Sequence, residues 1–113
     1  MNIQIFGTKK CKDTKKAERF FKERGIKYQF IDMQQKGMSQ GELRSVAGAV
    51  GGMEQLVNPD AKDRQMLALL PYLSESAREE KLLDYPELIK TPVVRNGRQA
   101  AIGYQPDVWK GWE

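Results

Sequence analysis

The first 32 residues constrain the fold more than any other stretch of the chain. Ile3 and Ile5 alternate with Asn2 and Gln4, and Phe6 follows, which is the period-two pattern of a short strand. Gly7 to Lys10 reads as a loop. From Asp13 to Arg24 the period changes: Ala17, Phe20 and Phe21 fall on one helical face, charges cover the other, and Gly25 is a suitable terminator. Tyr28 and Phe30 alternate with Lys27 and Gln29 before Ile31, which predicts a second strand. Strand, helix and strand within roughly 30 residues make a parallel βαβ unit with a right-handed crossover.

The middle of the chain is helical in pattern. Ser39-Gln40-Gly41-Glu42 fits a capping box, with Leu43, Val46 and Val50 behind it, and Gly48, Gly51 and Gly52 weaken that helix toward its end. Asn58-Pro59-Asp60 predicts a turn and a new helix start, carrying Met66, Leu67, Leu69 and Leu70 as far as Pro71. Ser76-Ala77-Arg78-Glu79 is a second capping-box candidate ahead of Leu82 and Leu83, and Asp84-Tyr85-Pro86-Glu87 allows a short last turn through Leu88 and Ile89. Val93-Val94, then Asn96-Gly97, then Ala100 to Ile102 predict a hairpin, because Asn-Gly supplies the positive φ angles of a tight turn. Gln105-Pro106-Asp107 opens a closing helix with Pro106 at its first position, carrying Val108, Trp109 and Trp112. The order βαβ, helical block, ββα describes an α/β domain over residues 1–113: a small mixed sheet with helices packed on it.

Cys11 lies in the loop between the first strand and the first helix, in the run Lys9-Lys10-Cys11-Lys12-Asp13-Thr14. A free cysteine is ordinarily a small buried hydrophobe, but neighbours such as Lys10, Lys12 and Asp13 do not resemble a core. Three features favour the thiolate instead. The first helical turn offers unpaired N–H groups and a positive dipole end. Lys9, Lys10 and Lys12 add positive charge. Thr14, three positions on, has a hydroxyl within reach of the sulfur. The same N–H groups would bind an oxyanion. A second feature is Thr91-Pro92 at the start of an apolar strand. It reads either as an ordinary strand-start proline or as a cis-proline turn that carries backbone to the thiol; the residues leave both open.

The remaining composition excludes more than it suggests. With no histidine and one cysteine, the carboxylates are scattered without ligand spacing, so no metal site and no bound cofactor are expected. One cysteine cannot close an internal disulfide, which predicts a cytoplasmic protein. The start shows no basic leader ahead of an apolar stretch, and no apolar run is long enough for a bilayer, so no signal peptide and no membrane association are expected. The net charge of +4 is uneven: Lys9 to Lys27 holds nine basic and three acidic residues. That asymmetry reads as an anion-attracting field around the thiol. Nucleic acid is not expected, because Phe20 and Phe21 fit a buried face better than a stacking platform.

These pieces in this order resemble the family of ArsC-type arsenate reductases and Spx regulators, which have the thioredoxin fold. The matching residues are Ile3 to Gly7 with Cys11 beyond them, Thr14-Lys15-Lys16-Ala17, Tyr28 to Asp32, and the run from Leu83 to Val94. The resemblance covers essentially the whole chain. It implies a thioredoxin-like mixed four-stranded sheet with a helical insertion, about residues 39–90, between the βαβ and ββα halves. It also implies that Pro92 is cis and faces Cys11, and that Thr91 and Pro92 position the substrate. The arsenate-reducing members carry arginines that hold the oxyanion, one immediately before the cis-proline, where this chain has Thr91. A second falls in the segment reading Gly103-Tyr104-Gln105-Pro106, and a third near Met53-Glu54-Gln55-Leu56; neither segment has an arginine. A tetrahedral dianion needs several charge-assisted donors, and lysines near Cys11 supply only part of them. The Spx regulators carry a Cys-x-x-Cys switch whose second position here is Thr14.

Two functions follow as expectations. One is an arsenate reductase-like, thiol-dependent oxidoreductase with Cys11 as nucleophile. With no resolving cysteine, glutathione, another external thiol, or a thiol partner such as glutaredoxin or thioredoxin would release the adduct. The other is an Spx-like regulator that binds RNA polymerase without a disulfide switch, with the basic helix Lys12 to Arg24 as a candidate contact surface.

Overall fold

A computed structural model describes residues 1–112. Its frame is a four-stranded sheet of order β2-β1-β3-β4, built from β1 (Ile3–Gly7), β2 (Tyr28–Asp32), β3 (Val93–Asn96) and β4 (Gln99–Ile102). β1 pairs parallel with β2 through α1 (Lys12–Glu23) and antiparallel with β3, and β3 and β4 form the Asn-Gly hairpin. Gly97 has φ +61°, as a tight hairpin turn requires. This is the α/β, thioredoxin-like mixed sheet that the sequence predicts.

Strand alternation divides the core. Ile3, Ile5, Val94 and Ala101 face one side, where they meet Ala17, Phe20 and Phe21 of α1 and Trp109 of α5 (Pro106–Lys110). Phe6, Ile31 and Val93 face the other, where the insertion packs Leu43, Val46, Leu56, Leu70, Leu82 and Leu88 against them. The insertion comprises α2 (Gln40–Val50), α3 (Arg64–Leu69) and α4 (Glu75–Asp84), with short 3-10 turns between and after them.

α2 starts where the sequence says. Ser39 Oγ accepts from Glu42 N–H at 3.2 Å, and the Glu42 carboxylate accepts from Ser39 N–H at 2.9 Å. Gly51, with φ +96°, ends it. Two other predicted starts move. Asn58 makes the expected turn by accepting from Asp60 N–H, but α3 begins at Arg64, because Asp63 accepts from Met66 N–H at 3.0 Å. α4 begins at Glu75, because Ser74, not Ser76, accepts from Ala77 N–H. Both serines precede an apolar helix at plausible spacing; with the cap at Ser74, Ser76 lies inside the first turn and Leu82 is fully buried. Arg44 on α2 and Glu79 on α4 then form a two-bond ion pair at 2.7 and 3.3 Å that ties the two helices.

The insertion closes on itself by backbone pairing just before the chain re-enters the sheet. Asn58 N–H donates to Leu88 O and Lys90 N–H to Leu56 O, both at 2.7 Å. That pairing fixes where residues 91 and 92 emerge. Among the described residues no helix is long and apolar enough to cross a membrane.

Candidate functional site

β1 ends at Gly7, and the chain turns through Thr8 to Lys10 before α1 begins. Cys11 is the N-cap residue, in extended conformation; its N–H donates to Thr8 O at 3.2 Å and its carbonyl accepts from Lys15 N–H at 3.3 Å. The sulfur therefore sits over the unpaired N–H groups of the first turn, half-buried. From the far side of the fold the insertion delivers Thr91 and Pro92, joined by a cis peptide bond. The Cys11 Sγ–H donates to Thr91 O at 3.5 Å, linking residues eighty positions apart. Gly103 N–H donates to Pro92 O at 2.7 Å, which holds the segment after β4 beside the same proline.

Burial by itself would push the Cys11 thiol above its ordinary value of 9.0, and it is outweighed. The Thr14 and Thr91 hydroxyls, followed by the amides of Thr14 and Asp13, favour the anion, so the thiol lies below that value. Thr14 is 1 % exposed, and its Oγ1 has no hydrogen-bond partner. Loss of the Cys11 proton would turn the sulfur into the acceptor this hydroxyl lacks. Gly7 is part of the same packing: a Cβ there would run into Thr14 Cγ2.

Cys11, Thr14, Thr91 and Pro92 thus come together. Lys9, Lys10 and Lys12 are exposed, and the groups that lower the thiol are hydroxyls and amides rather than these ammonium ions. Sequence reasoning assigned Thr91 a positioning role but missed that its hydroxyl and carbonyl both address the sulfur; nothing local to residue 91 signals it.

A cleft of about 830 Å³ opens beside Thr91, with Thr8 and Lys10 on its rim. Lys36 and Lys62 line it together with Asp60, Asp84 and Glu87, and its lining contains no arginine. Apart from Lys10 and Thr91, none of these was read from the sequence as a site residue, because the lining comes from four separate segments that only the fold joins. The nearby arginine Arg64 is engaged with backbone, donating to Pro59 O at 2.6 Å. A site of this kind offers a nucleophile, a cleft of mixed charge, and few fixed donors for a tetrahedral dianion.

Known proteins resemble this chain in sequence and in fold. The model of the ArsC family matches residues 6–112. The global transcriptional regulator Spx 2 of Oceanobacillus iheyensis is 27% identical over 109 residues, covering 95% of this chain and 80% of that one. An ArsC family related protein from Bacteroides fragilis superposes with a TM-score of 0.86 at 20% identity, covering 100% of this chain and 98% of the other. An arsenate reductase from Vibrio cholerae does so with a TM-score of 0.83 at 23% identity, covering 96% and 94%. At those identities the two structures speak for the fold.

Proposed function

The chain belongs to the ArsC family, and on that premise we propose that it is a thiol-dependent reductase whose nucleophile is Cys11. The observation that carries this reading is the lone thiol at the α1 N-cap, held below its ordinary pKa and set against the cis Thr91–Pro92 bond. The Cys11 thiolate attacks one sulfur of a mixed disulfide between a substrate and glutathione. The substrate's sulfur leaves as thiolate and takes up a proton, and Cys11 keeps the glutathionyl group. A second glutathione, as thiolate, attacks that bond, releases Cys11, and departs as oxidised glutathione. The net change is a thiol–disulfide exchange: the substrate sulfur is reduced from disulfide to thiol, and the sulfur of the incoming glutathione thiol is oxidised to disulfide level in the oxidised glutathione that leaves. An external thiol is required because the chain has no second cysteine.

Thr14 and Thr91 hydroxyls stabilise the thiolate as attacking and as leaving group, and Thr91-Pro92 backbone positions the incoming disulfide. Arsenate is disfavoured as substrate: the cleft beside Thr91 has no arginine, and Lys10 supplies a point charge rather than a two-pronged donor.

Mass spectrometry of the intact protein tests this. After oxidised glutathione, Cys11 should gain one glutathionyl group, and after arsenate with a reductant it should remain unmodified. Cys11→Ser should abolish turnover of a glutathionylated substrate; full activity in that variant would refute the reading.

The likeness to Spx 2 favours a second reading, a transcriptional regulator that acts by binding RNA polymerase. In that case purified protein should retain RNA polymerase, and Cys11→Ser should bind as well as the parent.

A further inference from the structure

A second cleft, of about 500 Å³, runs down the outer face of α1 where α5 packs against it. It shares no lining residue with the cleft beside Thr91. Its cations are Lys16 and Arg19 from α1, Arg24 at the C-cap of that helix and Lys110 from α5, and Glu23 is the one carboxylate in its lining. We propose that this cleft binds a small phosphorylated molecule, with the phosphates on Arg19, Arg24 and Lys110 and any planar ring against Tyr104.

The floor of the cleft is rigid. The Phe20 ring meets Phe21 edge-on at 5.0 Å and Trp109 at 5.1 Å, and Tyr104 meets Trp109 edge-on at 5.6 Å. On that floor Arg24 is already in place: its guanidinium lies 3.7 Å from the centre of the Phe20 ring, and one N–H donates to Phe20 O at 3.3 Å. A guanidinium has five N–H donors, so most remain available to an anion. Among the described residues Arg19 has no ion-pair or hydrogen-bond partner at all. Lys110 is held only loosely, by Asp107 at 4.0 Å, and Lys16 by Asp13 at 3.9 Å and by the Tyr104 ring at 5.7 Å; both carboxylates are well exposed to water.

Four cations converging on one concave site repel one another, and a surface helix without a ligand gains nothing from that. An anion relieves the repulsion, and charge-assisted bonds to guanidinium suit phosphate oxygens in particular. Lys16 to Arg24 spans about 12 Å of helix, longer than a single phosphate and suited to a di- or triphosphate or to a phosphate joined to a ring. The volume lies within the roughly 300–1,000 Å³ of small-molecule sites. Tyr104 is 42 % exposed and belongs to the lining, with the Lys16 ammonium 5.7 Å from its ring centre; a planar group takes that ring face by displacing this flexible side chain, which then turns to the phosphates.

Calorimetric titration of the intact protein with ADP, pyrophosphate and adenosine at low and moderate salt tests the site. ADP and pyrophosphate should bind saturably at one site, more weakly as salt rises. Tighter binding of ADP would place its ring on Tyr104, and equal binding would mean that phosphates alone are recognised; both support the site. Arg19→Glu and Lys110→Glu should each weaken binding by about tenfold or more, the loss of a charge-assisted bond. Lys62→Glu, the same charge change on the insertion, should weaken it by no more than about twofold. The proposal fails if neither phosphate compound saturates, or if all three variants lose affinity equally, since that is a diffuse field. It also fails if single-stranded oligonucleotides bind more tightly with increasing length, since that is a strand-binding surface.

Discussion

The two faces of the sheet are built on different plans. The face under α1 and α5 is small and aromatic, with Phe20, Phe21 and Trp109 in mutual ring contact over Ile3, Ile5 and Val94. The face under the insertion is larger and almost wholly aliphatic, assembled from short helices and 3-10 turns around Leu43, Leu56, Leu82 and Leu88. A few large rings that interlock leave no spare partner when one is lost, whereas many aliphatic side chains can close in partly around a vacancy. The thiol lies at the seam: Cys11 starts the helix of the first face, and Thr91 ends the insertion that makes the second. The site therefore depends on both plans at once.

The strongest way to break this comparison is at the two cores. Trp109→Ala should destabilise by about 3–5 kcal/mol, near the top of that range, because Phe20, Phe21 and Tyr104 all lose a ring contact. Leu82→Ala should cost about 2–5 kcal/mol and fall toward the bottom. Denaturant melts of the two would decide, and an equal or larger loss for Leu82→Ala would remove the contrast.

At the seam, Thr14→Val should raise the thiol and slow its alkylation at neutral pH by about tenfold, one charge-assisted hydrogen bond. The sign for stability follows from the lowered value. A thiol that ionises more easily in the folded state contributes stability that is fully present above its ordinary value of 9.0, and that contribution is lost as the pH falls through the folded value. Thr14→Val should therefore show a smaller gain in Tm from acid to alkaline pH than the parent. At acid pH it should be neutral or slightly stabilising, since it removes a buried hydroxyl that has no partner there.

The smallest expected effect sharpens the insertion. Ser74→Ala should cost about 1 kcal/mol as a lost N-cap, while Ser76→Ala, inside the first turn of α4, should change the Tm hardly at all. The reverse result would restore the capping box that the sequence suggests at Ser76.

The two faces also differed in how far the sequence foretold them. β1, α1, β2 and the hairpin follow from period-two and helical patterns bounded by Gly25 and Asn96-Gly97, signals that act over a few residues. In the insertion only α2 has an unambiguous start, because its capping box closes on itself. The starts read for α3 at Asn58-Pro59-Asp60 and for α4 at Ser76 both move, because Asp63 and Ser74 are the residues whose side chains accept the first-turn N–H groups.

For the site, the sequence by itself determined the thiol, its place ahead of a helix, and the absence of a second cysteine, because these depend on residue identity and local period. The family likeness added the cis proline. Only the tertiary structure decided what surrounds the sulfur. Thr91 reaches it because the Val57–Ile89 bridge and its flanking hydrogen bonds close the insertion on itself just before the chain enters β3, an inner strand of the sheet. Thr14 rather than a lysine addresses it, because the hydroxyl is buried beside Gly7 while the ammonium groups remain in water. Solvation drew that distinction: near the sulfur, a short dipole held out of water outweighs a full charge that water screens.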